Sequence, residues 1–157
     1  KYCTASKRVF VSGYSSGAWL SNLLACALGP RIRAIGTAAG GLTKATTDLF
    51  KCDTMGTAAA GIFYSGEKDM ENPANRLDMA GNQIGVMGAR DRLIKSNGCD
   101  PNASEPYAAN PICTQWKTGC PNNPVLYCIG PGDGHGKGDG KFNVSNKAFW
   151  DIWSALP

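Results

Sequence analysis

A chain of 157 residues that is 43% hydrophobic and only 18% charged has the composition of one packed globular domain, which excludes a disordered or low-complexity protein. Its net charge of +4 comes from 16 basic and 12 acidic side chains scattered without Lys/Arg runs, and this argues against a phosphate-binding stripe and nucleic-acid partners. No apolar stretch approaches the roughly 18–20 residues that cross a bilayer, so a soluble protein without a membrane partner is expected.

In chain order, residues 8–12 (RVFVS) read as a short buried strand, broken by residues 13–17 (GYSSG) before a helical run over residues 18–28 that Gly29 and Pro30 stop. Residues 32–38 are a second strand and residues 60–65 (AGIFYS) a third, followed by the turn Gly66-Glu67-Lys68-Asp69. Over residues 75–95, Leu77, Ala80, Ile84, Met87 and Ile94 recur at near-helical spacing, so one helix is predicted there, although Gly81, Gly85 and Gly88 each weaken it by about 1 kcal/mol against Ala. Residues 96–123 are rich in Asn, Pro, Gly and Cys and predict a long loop without regular structure. A fourth strand over residues 125–129 (VLYCI) leads into the glycine-rich residues 130–140. The last helix starts near Ser145, with Phe149, Ile152, Trp153 and Leu156 on one face. Strands alternating with helices predict an α/β fold with a mostly parallel sheet and flanking helices, in a single domain over residues 1–157.

Seven cysteines, at positions 3, 26, 52, 99, 113, 120 and 128, predict a disulfide-stapled fold from an oxidising, extracellular compartment. A zinc site is disfavoured, since there is no Cys-x-x-Cys pair and only one His. The odd count leaves one thiol without an internal partner. The sequons Asn102-Ala103-Ser104 and Asn143-Val144-Ser145 agree with a secreted glycoprotein. The chain begins at Lys1 with neither Met nor a signal-peptide hydrophobic region, the expected appearance of a processed or truncated product.

Gly13-Tyr14-Ser15-Ser16-Gly17 matches Gly-x-Ser-x-Gly, with a strand entering and a helix leaving. That is the setting of a sharp turn in which small residues two positions either side let strand and helix approach and lift the Ser15 hydroxyl above the sheet edge. The Ser16 N–H, at the helix start, is the expected donor to an oxyanion. Ser12 and Ser16 are not centred between the glycines. A Ser hydroxyl needs a base, and His135, on the loop after the fourth strand, is the sole candidate. The carboxylate that orients it is expected between the two in sequence. Asp69 fits best, because Asp78 and Asp91 lie in the helical pattern and Asp48, Asp53 and Asp100 in loops, with Glu67 as nearest rival. The glycines around His135 fit neither a dinucleotide nor a phosphate-loop pattern, so no cofactor is expected. Asp133 and Asp139 lack calcium-loop spacing, and no metal is expected either.

Residues 8–24 (RVFVSGYSSGAWLSNLL), 36–41 (GTAAGG), 64–69 (YSGEKD) and Gly134-His135 together resemble the secreted feruloyl esterases and polyhydroxybutyrate depolymerase-like esterases of the α/β-hydrolase superfamily. The resemblance implies Ser15 as nucleophile, Asp69 as acid and His135 as base, with no cofactor. The implied substrates are feruloyl or acetyl esters of plant cell-wall polysaccharide, or an aliphatic polyester. Among the aromatic residues, Trp19, Trp116 and Tyr107 are equally plausible as cleft or packing groups. Members of the family carry further strands before the nucleophile strand, or after the triad in permuted relatives, and one of their loops supplies a second oxyanion N–H. Those strands are not in this sequence. The resemblance therefore implies a carboxyl-terminal portion of the full fold, incomplete on its amino-terminal side, with an open sheet edge beside the Ser15 strand. A preceding segment is then expected to be missing, cleaved or held as another chain, tied by the seventh cysteine. The rival reading from another class is a catalytically silent, disulfide-rich binding fragment, and a peptidase on the same fold is a third.

Overall fold

The computed structural model describes residues 7–52, 59–135 and 146–156. Strand β1 (Phe10–Tyr14) runs into helix α1 (Ser16–Leu28), and a 3₁₀ turn (Gly29–Arg31) leads to β2 (Ala34–Ala38). A short helix α2 (Lys44–Leu49) starts at Thr43, whose hydroxyl accepts from the Thr46 N–H at 3.0 Å. Then follow β3 (Ala60–Gly66), α3 (Val86–Asn97), β4 (Ser104–Pro106), β5 (Cys113–Trp116), β6 (Val125–Gly130) and α4 (Asn146–Ser154).

These strands form one six-stranded mixed sheet in the order β1-β2-β3-β6-β5-β4, so the architecture is α/β. The first four positions, β1, β2, β3 and β6, are parallel. β5 and β4 extend the sheet antiparallel. All residues of β2 and β3 are buried, as expected for parallel strands covered on both faces, whereas every residue of β1 is at least partly exposed. Among the described residues β1 is an edge strand. Alternate side chains divide the core into two layers. Ile35, Phe63 and Val125 pack with Ala25, Cys26, Val86 and Leu93 of α1 and α3, while Ala34, Ile62 and Leu126 pack with Phe149, Trp153 and Leu156 at the other face. Gly36 is required for the second layer, since a Cβ there would lie 2.6 Å from the Phe149 ring. The predicted apolar face of the last helix is therefore the one that packs.

Two expectations fail. The helix predicted over residues 75–95 starts only at Val86, and Asp78, assigned to it, lies in a loop. The Asp78 carboxylate accepts from the N–H groups of Ala80 and Asn82, each at 2.9 Å, and Gly81 adopts φ 80°, so local side-chain-to-backbone bonds outcompete the helix. Leu77, one of the apolar residues at near-helical spacing on which that helix is predicted, is 58% exposed. Hydrogen bonds from Asn82 hold the Asp78 carboxyl below its ordinary pKa. The loop predicted over residues 96–123 contains β4 and β5, too short for their alternation to register in the sequence. They pair because β5 lies against β6, with Cys113 directly opposite Cys128.

Three disulfides staple the described residues: Cys26–Cys52 joins α1 to the segment after α2, Cys99–Cys120 closes the loop that carries β4 and β5, and Cys113–Cys128 joins β5 to β6. Cys3, the seventh cysteine, lies outside the described residues, as do Asp53, Asp139 and the Asn143 sequon. No helix among the described residues is long and apolar enough to cross a membrane. Replacing Cys113 and Cys128 together by Ala removes a cross-link across 15 positions and is expected to cost about 3 kcal/mol in urea unfolding, whereas a loss under about 0.5 kcal/mol would mean that the β5–β6 pairing does not need it.

Candidate active site

Only Ser15 separates β1 from α1, and the chain reverses through it at φ 52°, ψ −118°. A non-glycine residue in this region costs about 1–3 kcal/mol and persists only where its surroundings impose it. Here they do. The Ser15 N–H donates to the Ala38 carbonyl at 2.9 Å, and the Ser15 carbonyl accepts from the N–H groups of Ala18 (2.9 Å) and Trp19 (3.2 Å). Contact between strand and helix is closest at Gly13, where a Cβ would lie 2.1 Å from the Gly17 carbonyl oxygen. Gly40, after β2, is equally constrained, because a Cβ there would lie 2.6 Å from the Ala18 methyl and 2.7 Å from the Ser15 carbonyl oxygen. The expectation that both motif glycines permit this approach holds only for Gly13, since a Cβ on Gly17 would meet nothing within 4 Å. Ser16 is the first residue of α1, so its N–H belongs to the first-turn donors that no carbonyl of the helix can satisfy.

Beyond β3, the buried Asp69 carboxylate (3% exposed) accepts through Oδ1 from the N–H groups of Glu71 (3.0 Å) and Asn72 (2.8 Å). Its two oxygens also lie 3.1 and 3.0 Å from Nδ1 of His135. On the opposite side of the ring, Nε2 lies 2.9 Å from the Ser15 hydroxyl oxygen. Ser15, His135 and Asp69 thus form a continuous hydrogen-bonded row, with the imidazole only 14% exposed. With Nδ1–H donating to the carboxylate, the Nε2 lone pair faces the hydroxyl.

The loop that carries His135 is fastened along its length. The Lys68 N–H donates to the Asp133 carbonyl (2.8 Å), the Gly132 N–H to the Glu67 carboxylate (2.8 Å), the Tyr64 hydroxyl to the Asp133 carboxylate, and the Tyr14 hydroxyl to the His135 carbonyl. Glu67, the rival acid, therefore braces this loop instead of the imidazole. Asp133, weighed as a calcium ligand, is buried against Tyr64. Burial, and then the Asp133 carboxylate, push the Tyr64 hydroxyl above its ordinary pKa. The Tyr14 hydroxyl is raised too, first by burial and then by the negative charges of Asp69 and Glu71. Neither tyrosine role is visible in the sequence, because both depend on segments that meet only in the fold. Among the described residues no group of three or more His, Cys, Asp or Glu side chains converges as a metal site. Of the aromatic candidates, Trp116 is buried, with its ring N–H donating to the Pro101 carbonyl, and Tyr107 packs against the α4-side core layer; both are packing groups.

An α/β chain with this Ser–His–Asp row is similar, over nearly its whole length, to an ester hydrolase. The relative is feruloyl esterase B of Piromyces equi, 29% identical over 158 residues that cover 97% of this chain and 28% of the esterase. This chain therefore spans little more than a quarter of that relative's length. No family model matches it.

Gly13→Ala is expected to destabilise the protein by about 1–3 kcal/mol or more, because strand and helix must separate, whereas Gly17→Ala should be neutral or stabilising by up to about 1 kcal/mol. Paired thermal melts check this, and equal losses at both positions would contradict the packing described. Tyr64→Phe, which strips a buried carboxylate of its donor, should cost about 1–3 kcal/mol in the same assay.

Proposed function

We propose that this chain is the catalytic part of a secreted serine esterase of the α/β-hydrolase type, with Ser15 as nucleophile, His135 as general base and Asp69 as the group that orients and stabilises the imidazole. The observation that carries the reading is the 2.9 Å approach of His135 Nε2 to Ser15 Oγ, on a strained turn, with Asp69 3.0 Å from the other ring nitrogen. As Oγ attacks the ester carbonyl, its proton passes to Nε2 and the carbonyl oxygen becomes an oxyanion facing the Ser16 N–H. The imidazolium then gives that proton to the departing alcohol oxygen, the carbon–oxygen bond breaks, and an acyl-Ser15 ester remains. Water, deprotonated by the same Nε2, attacks the acyl carbon. Collapse of the second tetrahedral intermediate returns the proton to Ser15 and releases the carboxylic acid. No step needs a cofactor.

The likeness to a feruloyl esterase supports feruloyl esters, within the expected class of feruloyl or acetyl esters of plant cell-wall polysaccharide, in preference to a polyester. Three disulfides support an extracellular setting, and the exposed position of Asn102 in a turn suits a glycan there. We further infer that β1 pairs with a strand from outside the described residues. Helix α1 beside it carries no charged residue and leaves Leu20 53% exposed, a helix whose composition suits burial on all sides. A loop of that added segment is the natural source of a second oxyanion N–H.

Turnover of methyl ferulate and p-nitrophenyl acetate tests the proposal. Ser15→Ala, His135→Ala and Asp69→Asn should each lower kcat by about 10³-fold or more, and combining them should cost little beyond the worst single change. A Ser15→Ala variant retaining more than about a tenth of wild-type activity would overturn the assignment of the nucleophile. A folded wild-type protein inert toward both esters would favour the silent binding fragment.

A further inference from the structure

Beside the hydrogen-bonded row lies a second carboxylate that the proposed chemistry does not use. Glu71 Oε2 is 3.7 Å from His135 Nε2, the same ring nitrogen that faces Ser15 Oγ. Its side chain is 74% exposed, so this charge stands in solvent at the mouth of the site. The backbone beneath it is fixed. The Glu71 N–H donates to Asp69 Oδ1 at 3.0 Å, and its carbonyl accepts from the Arg76 guanidinium at 3.2 Å. The root of a carboxylate two residues beyond the acid is thereby fixed within reach of the ring nitrogen that faces Ser15.

On the esterase reading above, we propose that Glu71 is a specificity-determining residue, whose charge discriminates against esters bearing a negative charge close to the scissile carbonyl. The charges around it favour this. Asp69 is also anionic, but it is buried and faces the imidazolium that forms during the reaction, so its charge is matched at the barrier. Glu71 is exposed to solvent and stands beside Nε2, the nitrogen that faces Ser15. The Arg76 guanidinium is turned to the Glu71 carbonyl and the Asn72 side-chain oxygen (3.0 Å), not to the Glu71 carboxylate. The hydroxyl of Tyr14, next to the nucleophile, is held above its ordinary pKa first by burial and then by the negative charges of Asp69 and Glu71. The chain as a whole carries +4, so any long-range attraction favours anionic substrates. Discrimination against them must then be local, which separates this proposal from a net-charge effect.

The test compares kcat/KM for two esters with the same leaving group, neutral p-nitrophenyl acetate and the monoanion of p-nitrophenyl hydrogen succinate. Their ratio cancels any general loss of activity. At low ionic strength Glu71→Gln should shift the ratio about five-fold toward the anionic ester, the size expected for like charges a few ångströms apart in a nearly aqueous medium. Glu71→Asp, which keeps the charge, should stay within about two-fold of wild type. Added salt near 1 M should move wild type toward the Gln variant. An unchanged ratio in Glu71→Gln, or an equal shift in Glu67→Gln, would overturn the proposal. Wild-type protein with no Ser15-dependent turnover of either ester would instead sink the esterase reading and this inference with it.

Discussion

The backbone of Ser15 is held at a positive φ between a strand and a helix that touch at Gly13, and the rest of the site depends on that turn. A single residue between β1 and α1 leaves no slack, so the direction of its side chain follows from the packing of two whole elements. The strain, of order 1–3 kcal/mol, is met by three backbone hydrogen bonds at Ser15 and by the absence of side chains at Gly13 and Gly40. A hydroxyl so placed stands clear of the sheet and open to a partner from another loop.

The sheet supplies that partner. Because β1, β2, β3 and β6 are parallel, their carboxyl ends lie along one edge, and the segments after β1, β3 and β6 emerge side by side. Residues 120 positions apart in the chain therefore meet with no long excursion. β2, which contributes no member of the row, still matters, since Ala38 receives the Ser15 N–H and Gly40 makes room for the turn. The His135 loop reaches its position through bonds to Lys68, Glu67, Tyr64 and Tyr14, elements that flank the other members of the row. Placement of the imidazole is thus a property of the whole sheet edge.

Much of this is legible in the sequence where the signal is local. The glycine spacing about Ser15, the solitary His after a buried strand and the periodic apolar face of α4 each reflect one element and its immediate flanks. Failures occur where tertiary contacts decide. Leu77, Ala80 and Ile84 imitate a helix, yet Asp78 and Gly81 turn the chain first. β4 and β5 hold three and four residues, and only pairing with β6 makes them strands. Gly17 matches the motif without any steric need for it, whereas Gly40, outside the motif, is indispensable to the turn. Tyr14 and Glu71 acquire their parts only when the His135 loop comes to lie beside them.

The chemistry proposed for this geometry is nucleophilic attack by one hydroxyl activated by one imidazole. A fluorophosphonate reports that directly, because it phosphonylates an activated serine and leaves ordinary serines unmodified. The account predicts a single adduct per chain by intact mass, located on Ser15 by peptide mapping and formed far more slowly in His135→Ala. A folded protein that stays unmodified, or an adduct that persists in Ser15→Ala, would contradict it.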